Sequence, residues 1–383
     1  MRVVIIGAGI AGLTTALALK HQGINATVYE QSPRLGDVGA GIQLGPNAVR
    51  VLKALGLLEA LLNKASQPDK LTFRSGYSGQ KVFHIETASN DKPRWQAPYL
   101  HIHRADLIAV LAAEAAAADI DVQLNAPAEC HGDQLHVNGT HVPADIVLAC
   151  DGVNARLSGA EPAFSGHMAW RAVVPTEALS RPSSDTGATI WSGRACHAVT
   201  YTLRGGADTN FVGVVETSAE MASDWYHEQP SEAALKSFRG FHPSVLDIIR
   251  SAKTLRPWGL YTQDIQAPFH TGAMLRLGDA AHAMVPYLAQ GAAMAIEDAW
   301  AIAAILRKEP DRDRAFGAFA ALRRPRLQRV ADASRQVRQL YHLKPLAGRL
   351  GVFSALRGSQ NLGPAGLSRV LDWLYGYDVV KAV

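Results

Sequence analysis

The chain has 383 residues and a formal net charge of +4 at pH 7. Its length is ample for a large core and suggests roughly two or three domains. So small a charge excess gives no reason to expect a nucleic-acid partner. Hydrophobic residues make up 48% and charged residues 19%, the balance of a globular protein rather than a disordered one. Cys130, Cys150 and Cys196 are odd in number and match neither metal-ligand nor disulfide spacing. A reducing cytoplasm with no metal site is therefore expected.

The first strand, Arg2-Val3-Val4-Ile5-Ile6, starts at once. It leaves no room for a signal peptide, which again suggests the cytoplasm. It ends at Gly7, and Gly7, Gly9 and Gly12 form G-x-G-x-x-G. A helical segment from about Ile10 to His21 follows, Gly23 ends it, and a second strand ends at Glu30. The first glycine permits a tight turn, the second lets backbone approach a pyrophosphate, and the third lets helix and strand pack closely. The helix start supplies N–H donors and the positive end of a dipole. Glu30 is placed to accept hydrogen bonds from ribose hydroxyls. The triplet alone is a weak signal. Strand, triplet, helix, strand and acid in order are a strong one, without distinguishing FAD from NAD.

Further along, the apolar stretch Ala109–Ala118 is interrupted by Glu114 and is too short to span a membrane. IVLACDGVNAR (146–156) is a buried strand running into Asp151-Gly152, by itself a common turn. Residues 164–270 carry alternating patterns. HAVTYTLR (197–204) and NFVGVVE (210–216) read as antiparallel strands joined through Gly205-Gly206. Such a sheet can form one wall of a pocket between domains. His197 and Tyr201 are four apart, an even spacing that puts both on one face. Arg171 and Arg194 can clamp a carboxylate bidentately, but surface charge is the simpler reading. Met274–Leu277 is strand-like and ends in Gly278-Asp279. After Pro286 and Gln290-Gly291 an Ala-rich helix begins. Asp279 can hold a polyol hydroxyl, and Gly291, Ala292 and Ala293 leave backbone N–H groups bare for an anion. His282 reads as a packed polar residue. The run Leu322-Arg323-Arg324-Pro325-Arg326 reads as a solvated helix face.

These segments, in this order, resemble the single-component FAD-dependent aromatic hydroxylases, the group that includes salicylate hydroxylase, 3-hydroxybenzoate 6-hydroxylase and 6-hydroxynicotinate 3-monooxygenase. The resemblance runs from residue 1 to about 340, with an echo in WLYGYD (373–378). It is carried by GAGIQLGPNA (39–48), YLHIHRADL (99–107), GFHPSV (240–245) and GDAAHAMVPYLAQGAAMAIEDA (278–299). It implies that Gly7, Gly9, Gly12 and Glu30 hold the ADP half of non-covalent FAD, with Gln31 beside the adenosine and the backbone near Ala128 against adenine. Arg104 would reach the flavin side and Asp279 the ribitol chain. Asp151-Gly152 would support both FAD and NAD(P)H, with Ala155 where the family often has Ser. Gly291 and Ala292 would make room for the isoalloxazine ring at a positive helix end. The family has an H-x-x-x-Y in the substrate pocket at the place of His197 and Tyr201, which implies a histidine base that keeps a substrate phenol ionised and a tyrosine positioner. Gln43 stands where some relatives carry His, and Tyr287, beside Pro286, where relatives vary among His, Gln and Tyr. Both should face the pocket, and they speak against carrying over the substrate of the pyridine-type member.

The resulting expectation is an α/β fold in which a Rossmann-type FAD domain (1–70, 100–164, 271–340) is interleaved with a mainly β substrate domain (71–99, 165–270). A partly helical segment, 341–383, follows. The expected activity is hydroxylation of a small aromatic acid: NADH or NADPH, docking transiently, reduces FAD, and O2 gives a C4a-hydroperoxyflavin. No nucleic-acid or membrane partner is expected, and the protein should be a monomer or homodimer. The competing reading is a flavoprotein that transfers hydride or electrons without inserting oxygen.

Overall fold

The computed structural model describes the chain except residues 37–38, 90–91, 133, 183–186, 221–227, 343–350, 357 and 359–368. Two sheets organise it. The first runs in the order His270–Thr271, Met274–Arg276, Ile146–Ala149, Val3–Ile6, Ala26–Tyr29, Asp121–Gln123, parallel except at the His270–Thr271 edge. Strands Val3–Ile6 and Ile146–Ala149 are buried along their whole length, because a parallel sheet is covered on both faces. Val3 and Ile5 face a core formed with helices Ile10–His21, Arg104–Ala117 and Gly291–Lys308. Val4 and Ile6 face the other way, onto a small sheet that includes Leu135 and Val137.

The second sheet has eight strands: Gln229–Pro230, Thr254–Thr262, Ala163–Pro175, Asp208–Glu216, Cys196–Leu203, Ala188–Ser192, Lys70–Ser75 and Lys81–Glu86. It is antiparallel except where Ala188–Ser192 meets Lys70–Ser75. The expected hairpin is present, and its turn takes positive φ at Gly205 and Gly206, +67° and +98°, which glycine adopts without penalty. Strand alternation sorts the side chains. Met168, Trp170, Ala198, Phe211 and Val215 pack onto helices Ser231–Ser237 and Pro243–Ser251. The alternate set, His167, Ala169, Arg171, His197, Tyr201, Asn210, Val214 and Glu216, is left for the opposite face, which turns toward the first sheet's helices.

The reading of the basic run is overturned. Arg323 and Arg326 are not on a solvated helix face: they are buried, at 0% and 8% exposure. Helix Arg312–Tyr341 lies along helix Gly291–Lys308, which buries two adjacent carboxylates, Glu297 and Asp298. Buried charges must be paired, and Arg323 supplies 2.7 Å and 2.8 Å contacts to the two. Arg326 pairs with Glu297 at 2.9 Å and donates to the carbonyls of Trp373 and Leu374, which pins the C-terminal helix Asp372–Tyr375. His282 packs in the same cluster, 2.5 Å from Asp298. No helix among the described residues is long and apolar enough to cross a membrane, and the three cysteines are free thiols.

Candidate active site

The glycine triplet is required by close approach. Gly7 has φ +98°, and a Cβ there would lie 2.5 Å from the Cys150 carbonyl. A Cβ at Gly12 would lie 1.8 Å from the Gly7 carbonyl. A Cβ at Gly9 would meet nothing within 4 Å, so the backbone faces open space. Helix Ile10–His21 starts there without a side-chain cap, and its N–H groups remain available to an anion. Glu30 accepts from Ala8 N–H at 2.7 Å and Ser32 N–H at 2.9 Å, fixing its carboxylate beside the loop. Each oxygen keeps a further lone pair for a ribose hydroxyl. Gln31 is exposed next to it. Ala128 opens the small sheet two residues after Ala126, whose N–H bonds the Glu30 carbonyl at 2.9 Å. Asp151 accepts from Leu157 N–H at 2.9 Å, and burial raises its pKa. Its other oxygen is buried with no hydrogen-bond partner among the described residues.

The second end of the cleft is built by helix Gly291–Lys308, which has no side-chain cap at Gln290. Asp279 lies alongside it: a Cβ at Gly291 would sit 3.6 Å from the Asp279 carboxylate. Arg104 opens helix Arg104–Ala117. Burial lowers its guanidinium, while Asp279 and Glu30 oppose that shift. Two uncapped helix starts with an arginine between them suit an extended ligand carrying a central pyrophosphate. The donor set fits FAD.

The polar face of the eight-stranded sheet closes the cleft. Gly41 N–H donates to Asn210 Oδ1 at 2.7 Å, and a Cβ at Gly41 would come within 2.7 Å of the Tyr201 ring. Here the two halves touch. Tyr201 lies with its ring centroid 4.5 Å from that of His101, and burial raises its phenol well above the usual value, so it stays protonated. Gln43 is held between Tyr99 Oη, at 3.3 Å, and His101 Nε2, at 3.4 Å. His101 is fully buried, and desolvation lowers it to about 3. Pro286 begins a short turn that places Tyr287 with its ring 5.2 Å from that of His197. The Tyr287 hydroxyl is buried without a partner among the described residues. His197 is 2% exposed, and burial, with His342 and His167 nearby, lowers it well below its usual value.

His197 and Tyr201 thus share one face of the sheet, with the Tyr287 ring against His197 and Gln43 bonded to the His101 that packs on Tyr201. Of the two arginines weighed as a carboxylate clamp, one fits the surface reading and one does not. Arg194 is exposed, as surface charge should be. Arg171 is not surface charge. It lies under Trp258, 5.2 Å from the ring, and is lowered to about 10 by burial and by Arg104, with Tyr201 and Asp279 opposing. Asn210 and Glu216 share the His197 face, a signal that strict alternation from Asn210 already contains. His342 has no local signal: it comes from 145 residues away to touch His197.

A family model described as an FAD binding domain matches residues 1–334. A 3-hydroxybenzoate 6-hydroxylase of Klebsiella oxytoca is 32% identical over 393 residues, covering 98% of this chain and 97% of that protein. A 6-hydroxynicotinate 3-monooxygenase of Bordetella bronchiseptica is 32% identical over 389 residues, covering 99% and 95%. Among solved structures, Klebsiella pneumoniae HpxO complexed with FAD and uric acid superposes with a TM-score of 0.78 at 23% identity, over 94% of this chain and 93% of that one. At that identity the likeness speaks for the fold.

Proposed function

The chain belongs to the FAD-binding-domain family of flavoprotein aromatic hydroxylases, and from that premise we propose that it hydroxylates a small aromatic hydroxy acid with electrons from NADH or NADPH. The observation that carries the reading is the sheet face shared by His197, Tyr201 and Arg171, on which Arg171 lies close enough to Arg104 and Asp279 to feel both charges. Bound FAD, held by Gly7, Gly9, Gly12, Glu30, Arg104 and Asp279, would supply hydride acceptance and activation of O2.

The protein's residues do the rest. Arg171 is placed to take the substrate carboxylate, since a guanidinium binds carboxylate with two parallel hydrogen bonds. A buried neutral His197 accepts the phenolic proton, because an ionised phenol is the better nucleophile toward electrophilic oxygen. Tyr201, kept protonated by burial, donates a hydrogen bond that orients the ring. Tyr287 and Gln43 line the remaining wall, and the covering sheet keeps water away from the reacting centre. The division into an interleaved FAD domain and substrate domain, and a cytoplasmic setting, belong to the same reading.

The test is NADH and NADPH oxidation by the purified flavoprotein against hydroxybenzoates, aminobenzoates and hydroxypyridine carboxylates. One acid should accelerate oxidation and leave as a hydroxylated product. If no aromatic acid changes the rate, the substrate class is wrong.

A further inference from the structure

His197 Nδ1 lies 2.8 Å from His342 Nε2, and His342 Nδ1 lies 3.2 Å from Glu216 Oε1. An ionised carboxylate only accepts hydrogen bonds. Against it, a neutral His342 carries its proton on Nδ1, and its Nε2 is then an acceptor. His197 must in turn donate from Nδ1, which leaves the lone pair on its own Nε2. The carboxylate thus fixes the tautomers of two rings in series, as a buried acid does for a histidine base elsewhere.

A strand end and a helix end hold the series in place. Glu216 ends strand Asp208–Glu216, directly opposite His167 of the neighbouring strand. His342 is the C-cap of helix Arg312–Tyr341, and its N–H bonds the Arg338 carbonyl at 2.9 Å. That helix end docks on the sheet through the Tyr341 carbonyl, which accepts from Ser192 Oγ at 2.8 Å and Gly193 N–H at 3.3 Å. The groups facing the two rings are His167 and Glu216 from the sheet, Arg338 and Tyr341 from the helix, and Tyr287 from the turn. Burial lowers His342 to about 4, with His167 and Arg338 adding to the shift and Glu216 opposing it. Both rings are therefore neutral near pH 7. The Glu216 side chain is 26% exposed, so the series opens to solvent at that end.

We propose that His342 and Glu216 are positioning residues for the His197 base: they hold it as the Nδ1–H tautomer and pass the substrate's phenolic proton outward. The inference rests on the hydroxylase reading. As the phenol O–H breaks, His197 Nε2–H forms. His197 then loses its Nδ1 proton to His342 Nε2, and His342 loses its Nδ1 proton to Glu216. No buried imidazolium has to persist. Reprotonation of the product phenolate runs the same transfers backward and restores both rings.

The test is the holoenzyme labelled with 15N-histidine, with long-range 1H–15N spectra at pH 7.5 assigned through H197Q and H342Q. Wild type and E216D should show both rings as Nδ1–H tautomers. In E216Q the amide can donate, and His342 should gain Nε2–H population. An Nε2–H tautomer on either ring of the wild type overturns the proposal. The activity readout uses the aromatic acid that best stimulates NADH oxidation. E216Q and H342Q should raise the pH midpoint of coupled hydroxylation by a unit or more, with FAD content unchanged. A midpoint that stays put in both overturns the relay. If H197Q moves the midpoint and they do not, the base stands without the relay. If wild type gives no hydroxylated product, the hydroxylase reading falls, and the tautomers still decide the wiring.

Discussion

His197 and Tyr201 share a face because they are four residues apart on a strand, and both are buried at 2% and 5% exposure. His197→Gln removes the base at close to constant volume. Hydroxylation should fall by roughly 10²–10⁴-fold, the range for a lost general base, while NAD(P)H oxidation continues and yields peroxide. Quantifying product against peroxide checks this, and unchanged coupling would remove the base role. Burial holds His101 at about 3 and His342 at about 4, below the usual value near 6.5. Between those values and 6.5 the unfolded chain binds more protons than the folded one. Stability is therefore full above about 6.5 and is lost as pH falls toward 4. At pH 5 each ring should cost on the order of 2 kcal/mol, readable as a lower urea midpoint than at pH 7.5. Spacing made the His197–Tyr201 pair legible in the sequence. The series beyond His197 was not: alternation puts Glu216 on the same face, but His342, which links the two, needs the docked end of a 30-residue helix.

Elements whose limits depend on local chemistry were readable. The glycine triplet and the two flanking strands placed helix Ile10–His21, and Gly291 opens its helix where small residues suggested. The basic run at 322–326 was misread for the opposite reason. Its partners Glu297 and Asp298 sit on another helix, and periodicity carries no information about a neighbour's charge. Burial pulls the Arg323 guanidinium down, but Glu297 and Asp298 more than offset this and leave it above its usual value. Arg323→Met leaves two carboxylates buried with less compensation, so unfolding free energy should drop by about 3–5 kcal/mol. Urea unfolding of the holoprotein measures it. A loss below about 1 kcal/mol, the worth of an exposed pair, would mean the cluster is hydrated.

At the scale of the molecule, the sheet that carries the proposed substrate-facing residues meets the proposed cofactor half at Gly41. A Cβ there would collide with the Tyr201 ring at 2.7 Å and Asn210 at 2.8 Å. Gly41→Ala should therefore shift the sheet against the flavin half. FAD content should hold, because the glycine triplet and Glu30 lie elsewhere, and the ratio of peroxide to product should rise. Wild-type coupling in this variant would show that the contact yields freely. The order of segments and the family resemblance made the α/β fold and its cofactor legible. The polar face that defines the pocket required the long-range register of eight strands.

The measurement that tests the central claim most directly is turnover under 18O2 with the aromatic acid that best stimulates NAD(P)H oxidation, followed by the mass of the product. The account predicts one labelled oxygen atom in the ring product, with stoichiometric NAD(P)H use. Flavin turnover that leaves the aromatic compound unlabelled and unchanged, with all the label in peroxide, or that alters it without incorporating the label, would contradict it.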